Sequence, residues 1–180
     1  DDLKNKRLRY INKNSFREDP LRVLRAVQFC ARLNLEMDSD LYSTCRDMVK
    51  ENQLNELTSE RIFEEIKKLL LKSSNPSIGL KLLQNLNIKL FKIDDDKLKN
   101  IDDFIRFKTT DDDTNLTIML ALLYKDTNYN IEKLTNSKSL DRNINRLLHV
   151  AKFFENKTDK ILYAIAKDID LNILTLFLMA

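Results

Sequence analysis

Apolar residues return every three or four positions along most of this chain, the period of one face of an α-helix. Leu24, Val27 and Ala31 fall on one side of a helix expected to begin near Asp19, with Arg22, Arg25, Phe29 and Arg32 on another. Pro20 suits its first position and Asp19 its N-cap, while Ser15 and Glu18 form a rival capping box just upstream. A second helix is predicted from Asp38 or Ser39, burying Leu41, Cys45 and Met48. A third, capped by Thr58 or Ser59, carries Ile62, Phe63, Ile66, Leu69 and Leu70, and Asn75-Pro76 opens a fourth with Ile78, Leu82, Leu83 and Leu86. Gly79 inside that fourth helix marks a close approach of another helix.

Beyond residue 90, two aspartate runs, 94–96 and 111–113, bound a short helix containing Ile101, Phe104, Ile105 and Phe107. Those runs lack the spacing, the Gly and the Glu of a calcium loop, and read as solvated turns and N-caps. Further amphipathic helices are predicted at 116–124, 131–134, 140–154, 159–167 and 171–178. The opening differs: Leu8-Arg9-Tyr10-Ile11 reads as an orphaned strand, expected to be frayed or paired with a neighbouring molecule. No repeat period emerges.

Composition agrees with the pattern. One Gly and two Pro in 180 residues leave too few turn residues for a sheet-rich fold, so the expected class is all-α, a multi-helix bundle with a residual strand at the N-terminus. Net charge is only +3, but residues 1–35 hold nine Lys or Arg against four Asp or Glu, a local net of +5, which suits a polyanionic partner. Cys30 and Cys45 are too few for a zinc site and read as buried thiols, and the lone His149 cannot build a metal site. No signal peptide opens the sequence and no uncharged run nears the ~20 residues of a membrane helix, so the expectation is a cytoplasmic, non-membrane protein.

The chemistry concentrates in Ser15-Phe16-Arg17-Glu18-Asp19-Pro20-Leu21-Arg22-Val23-Leu24-Arg25-Ala26. A carboxylate only accepts hydrogen bonds and a guanidinium only donates them. Asp19 and Arg22, three apart on a helix, share a face and set an acceptor beside a fork of donors. Cytosine and adenine present the complementary amino donor and ring-nitrogen acceptor, whereas uracil and guanine present the reverse and would leave polar groups unpaired, at about 1 to 3 kcal/mol each. If Asp19 also caps the helix, one carboxylate serves both roles through its two oxygens.

These residues resemble the class II tRNA nucleotidyltransferases, the CCA-adding enzymes and the related bacterial poly(A) polymerases. Glu18, Asp19 and Arg22 fill the family's Glu-Asp-x-x-Arg motif, and Arg25 matches its next basic position; Glu60-Arg61-Ile62-Phe63-Glu64 matches a second element. The likeness covers about the first ninety residues. It departs at Gln28, where the family often carries another arginine, and Arg32 lies close to that face. No Gly-Gly loop, no Asp-x-Asp metal pair following a predicted strand and no Arg-Arg-Asp ribose motif, the marks of the family's catalytic head, is read in the sequence.

The resemblance implies a fragment: residues 1–14 a remnant of the head, 15–90 a base-recognising and RNA-binding neck, and 91–180 a helical body truncated at its C-terminus. It implies a parent enzyme that adds CCA to tRNA 3′ ends from CTP and ATP, with Mg²⁺ held by the head, and a fragment inert on its own. Asp19 and Arg22 are then base readers, Arg25 and Arg32 bind phosphate or support them, and Glu18, Glu60, Arg61 and Glu64 brace the pair. Two alternatives stay open: a poly(A) polymerase or CC- or A-adding relative, and a non-catalytic helical module that binds RNA or protein.

Overall fold

The structure is a computed structural model and describes residues 2, 4–127, 132–135, 137–154 and 170–179. The predicted helix at 159–167 and the residue Ile131 lie outside these. The described residues are predominantly helical, with a single pair of two-residue strands among them. The chain forms two compact units, Asp1–Ile93 and Asp94–Ala180.

The first unit begins with β1 (Arg7–Leu8), α1 (Lys13–Arg17) and α2 (Leu21–Leu33), then β2 (Glu36–Met37), α3 (Ser39–Lys50), a 3-10 turn (Gln53–Glu56), α4 (Ser59–Lys72) and α5 (Pro76–Asn85). The strand expected to be orphaned is not: β1 pairs in parallel with β2, Arg7 opposite Glu36 and Leu8 opposite Met37. The partner comes from within the chain because Asn34 ends α2 in the left-handed conformation, φ 51°, and turns the backbone alongside β1. The Glu36 N–H then donates to the Lys6 carbonyl at 2.7 Å and the Asp38 N–H to that of Leu8 at 3.0 Å.

The start of α2 also departs from expectation. Ser15 caps nothing: it lies inside α1, whose N-cap Asn12 accepts its N–H. Pro20 takes the N-cap place of α2, and Asp19 stands just outside, its Oδ1 accepting the Leu21 N–H at 3.1 Å. Farther on, the caps fall where the sequence places them, with Asp38 on α3 and Thr58 on α4 accepting first-turn amides.

The core of this unit is α2 against α4 and α5. Val23, Leu24, Val27, Cys30 and Ala31 are buried from α2, facing Phe63, Ile66, Leu69 and Leu70 of α4 and Leu80 and Leu83 of α5. Gly79 lets them meet: a Cβ there would fall 2.6 Å from Leu69 Cδ1 and 3.0 Å from Ala31 Cβ. Ala31 and Leu69 lie late in their helices, whereas Asp19 and Arg61, at the two starts, touch. Helices α2 and α4 therefore run parallel, with their N-termini side by side.

The second unit contains α6 (Asp95–Phe104), a 3-10 turn (Ile105–Phe107), α7 (Asp112–Tyr124), α8 (Glu132–Thr135), α9 (Lys138–Phe154) and α10 (Leu171–Met179). Its centre is α7, buried on every side from Asn115 to Tyr124 and packed by α6, α9 and α10. Polar groups inside it are satisfied: Asn115 Nδ2 donates to the Thr109 carbonyl and its Oδ1 accepts the Thr109 N–H, both at 2.9 Å. No described helix is long and apolar enough to cross a membrane.

Candidate functional site

The paired N-termini of α2 and α4 bring the positive ends of two helix dipoles together. Into that region α2 delivers Asp19 and Arg22, and α4 delivers Arg61. Arg61 Nη2 donates to Asp19 Oδ1 at 3.2 Å and to Oδ2 at 3.5 Å. Together with the Leu21 N–H this gives Oδ1 two donors, while Oδ2 keeps only the long contact and retains capacity to accept another. Asp19 is 32% exposed and Arg61 49%, so the pair orients the carboxylate without removing it from solvent.

Arg22 is half-buried. Its backbone N–H donates to the Asp19 carbonyl at 3.0 Å, and its Nη1 donates to the Ser15 carbonyl within α1. One corner of the guanidinium is thereby fixed. The remaining N–H donors of the fork meet no protein acceptor among the described residues and lie available to a ligand. A further ion pair, Arg17 with Glu51 of the α3 terminus, ties α1 down from the other side.

The other residues singled out from the sequence are distributed differently. Arg25 and Arg32 are exposed on the outer face of α2, seven positions apart, with no partner among the described residues. Phe29 between them is half-buried. Glu18 and Glu64 are exposed, and no described side chain pairs with either. Glu60 is exposed in the first turn of α4. Of the three α4 residues, Arg61 is the one that reaches Asp19.

Gln28 is 2% exposed, and its Nε2 has no hydrogen-bond partner. Its place on the inner side, one turn past Leu24, explains why an arginine is absent: a guanidinium there would need several buried acceptors. The Ser15 carbonyl and the Leu21 N–H were not foreseeable as site groups, because backbone atoms carry no sequence signature. Among the described residues no group of three or more His, Cys, Asp or Glu could hold a metal ion.

Residues 34–101 match the family described as the probable RNA and SrmB-binding site of polymerase A. A multifunctional CCA protein of Tolumonas auensis is 39% identical over 99 residues, 52% of this chain and 24% of that protein. Among solved structures, a CCA-adding enzyme in complex with CTP superposes over 98% of this chain and 47% of that one, with TM-score 0.72 at 18% identity. The Thermotoga maritima CCA-adding enzyme complexed with tRNA gives 0.69 at 19% identity, over 98% and 48%. These structural likenesses concern the fold. The chain spans about a quarter of the curated relative's length and about half of each solved chain.

Proposed function

We propose that this chain, a member of the CCA-adding enzyme family through its N-terminal half, supplies the base-reading and RNA-contacting part of a tRNA nucleotidyltransferase. The parent adds C, C and A to tRNA 3′ ends from CTP and ATP in the cytoplasm. Residues 15–90 act as its neck and 91–180 as its helical body.

The observation that carries this reading is the carboxylate of Asp19, oriented by Arg61 and the Leu21 N–H beside a guanidinium anchored on Ser15. Oδ2 accepts the exocyclic amino group of cytosine or adenine, and Arg22 donates to the adjacent ring nitrogen. Both groups are positioned before the nucleotide arrives, so little ordering cost falls on binding. Uracil or guanine would set a carbonyl against the carboxylate and an N–H against the guanidinium. Arg25 and Arg32 offer charge to phosphates along the outer face of α2.

Two-metal chemistry stabilises the attacking and leaving oxygens of nucleotidyl transfer. The described residues do not fit Mg²⁺, since no donor cluster forms among them. The chain alone is therefore expected to transfer no nucleotide.

The match to an RNA-binding stretch of polymerase A favours one second reading, a parent that makes poly(A). Products separate the two. A parent given tRNA lacking its CCA, with CTP alone, ATP alone and both, should add C, C and A in order. A ladder of A from ATP alone would assign it to the poly(A) polymerases, and no addition at all would overturn the reading.

A further inference from the structure

Below the start of α2, the first unit holds a cavity of about 380 Å³ that none of the residues above accounts for. Its floor is apolar, with Leu24 from α2, Ile62 from α4 and Leu54 from the 3-10 turn. Its polar lining consists of three asparagines, Asn52, Asn55 and Asn87, with Lys89, and no acidic residue lines it. The volume lies within the range of small-ligand sites.

The walls are built in advance. Asn52 and Asn87 hold left-handed turns, φ 59° and 61°. The Asn55 N–H donates to the Asn52 carbonyl at 3.0 Å and the Asn87 N–H to that of Gln84 at 2.9 Å. The Tyr42 hydroxyl donates to the Asn85 carbonyl at 3.2 Å, tying α3 to the end of α5 just before the Asn87 turn.

We propose that this cavity seats one unpaired base of an RNA strand without selecting which base, with Lys89 beside the strand's phosphate. An aliphatic floor of Leu, Ile and Val takes the apolar face of any base by burying it from water. A carboxamide carries an acceptor and a donor side by side, and turning it over matches either order, so asparagines meet the edges of all four bases. This is the opposite of Asp19 and Arg22, whose fixed polarity discriminates. The absence of acids and the presence of a lysine suit a polyanion. Every lining residue except Leu24 lies within 34–101, the stretch that matches an RNA-binding family. The inference rests on the RNA-contacting reading above, but not on base selection by Asp19 and Arg22.

The test is fluorescence anisotropy of the 180-residue chain with labelled single-stranded hexamers of A, C and U. The three should bind within about threefold of one another, since an aliphatic floor and carboxamides that can turn over do not distinguish the bases. Asn55→Leu, at an exposed position, should weaken all three by about threefold to tenfold, the loss of one hydrogen bond. Lys89→Ala should lower the slope of log affinity against log salt by about 0.7. In the parent enzyme Asn55→Leu should raise KM for tRNA and leave the preference for CTP over UTP unchanged. Unaltered RNA binding in both variants overturns the proposal and leaves the cavity to a protein partner. So does a wild-type chain that binds none of the hexamers. A parent without preference for CTP would sink the base-reading proposal instead, whatever the cavity does.

Discussion

Arg61, at the start of α4, holds the carboxylate of Asp19, at the start of α2, with its Nη2 3.2 Å from Oδ1 across 42 residues of sequence. The contact joins two parallel helices at the end where both dipoles point outward, and it leaves Oδ2 the less occupied oxygen. Arg61 keeps 49% and Asp19 32% of its side-chain surface in solvent, so the pair contributes little to stability. Its effect is on direction. Arg61→Ala should change unfolding free energy by less than about 1 kcal/mol in urea titration, yet lower the parent's kcat/KM for CTP, with Arg61→Lys recovering only part because lysine lacks the planar fork. A large stability loss with unchanged CTP kinetics would make Arg61 a structural brace and nothing more.

Gly79→Ala weighs helix propensity against packing. Alanine gains about 1 kcal/mol of intrinsic helix preference, but its methyl would fall 2.6 Å from Leu69 Cδ1 and 3.0 Å from Leu69 Cγ and Ala31 Cβ. Leu69 is 1% exposed and cannot swing away without displacing its neighbours. Overpacking of this kind costs about 1 to 3 kcal/mol, so thermal melting should show a net loss of order 1 kcal/mol. An increase in Tm would mean that α5 moves freely against α2 and α4.

Burial pushes the Cys30 thiol up to about 11, and burial followed by the nearby Cys30 pushes Cys45 up to about 12. Near pH 8 almost no thiolate forms at either position. Iodoacetamide should therefore label neither cysteine appreciably in the folded chain and both in urea, read by mass spectrometry. Rapid labelling in native buffer would show that the α2–α3 core opens.

Asp111 caps α7, accepting the Thr114 hydroxyl at 2.5 Å, the Thr114 N–H at 3.0 Å and the Asp113 N–H at 3.3 Å. The Thr114 hydroxyl, then its N–H, holds the carboxyl below the usual range. A carboxyl depressed on folding contributes stability that is present above its unfolded pKa of about 3.9 and is lost as pH falls through the folded value. Melting temperature should thus decline on acidification below about pH 4, and Asp111→Ala should flatten that part of the profile while lowering Tm at neutral pH. Parallel profiles for the two proteins would show that the Asp111 carboxylate does not stabilise the start of α7.

Much of this architecture was legible in the residues because it is local. The 3.6-residue period gave the helices around Leu24, Leu41, Ile66 and Leu83, and the cap residues Asp38, Thr58, Asp94 and Asp111 each accept first-turn amides. What escaped is non-local or too short to have a period. Two-residue strands show no alternation, so β1 gave no hint of its partner Glu36–Met37. A five-residue helix such as α1 is equally silent, and with it the role of the Ser15 carbonyl. The motif pointed to Asp19, Arg22 and Arg61, but which α4 residue touches Asp19 depends on the parallel alignment of two helices. Gln28 was legible as a departure from a pattern, and its burial follows from the wheel position it shares with Leu24.

Selection of C and A by Asp19 and Arg22 is tested by the parent enzyme's kcat/KM for CTP, ATP, UTP and GTP on tRNA lacking its CCA, with Arg22→Ala beside the wild type. The wild type should strongly prefer CTP and ATP, and a variant of unchanged circular dichroism and Tm should lose about tenfold or more in CTP and ATP use, with the margin over UTP and GTP eroded. A variant that discriminates as well as the wild type would contradict that role, and would move base selection away from the paired starts of α2 and α4.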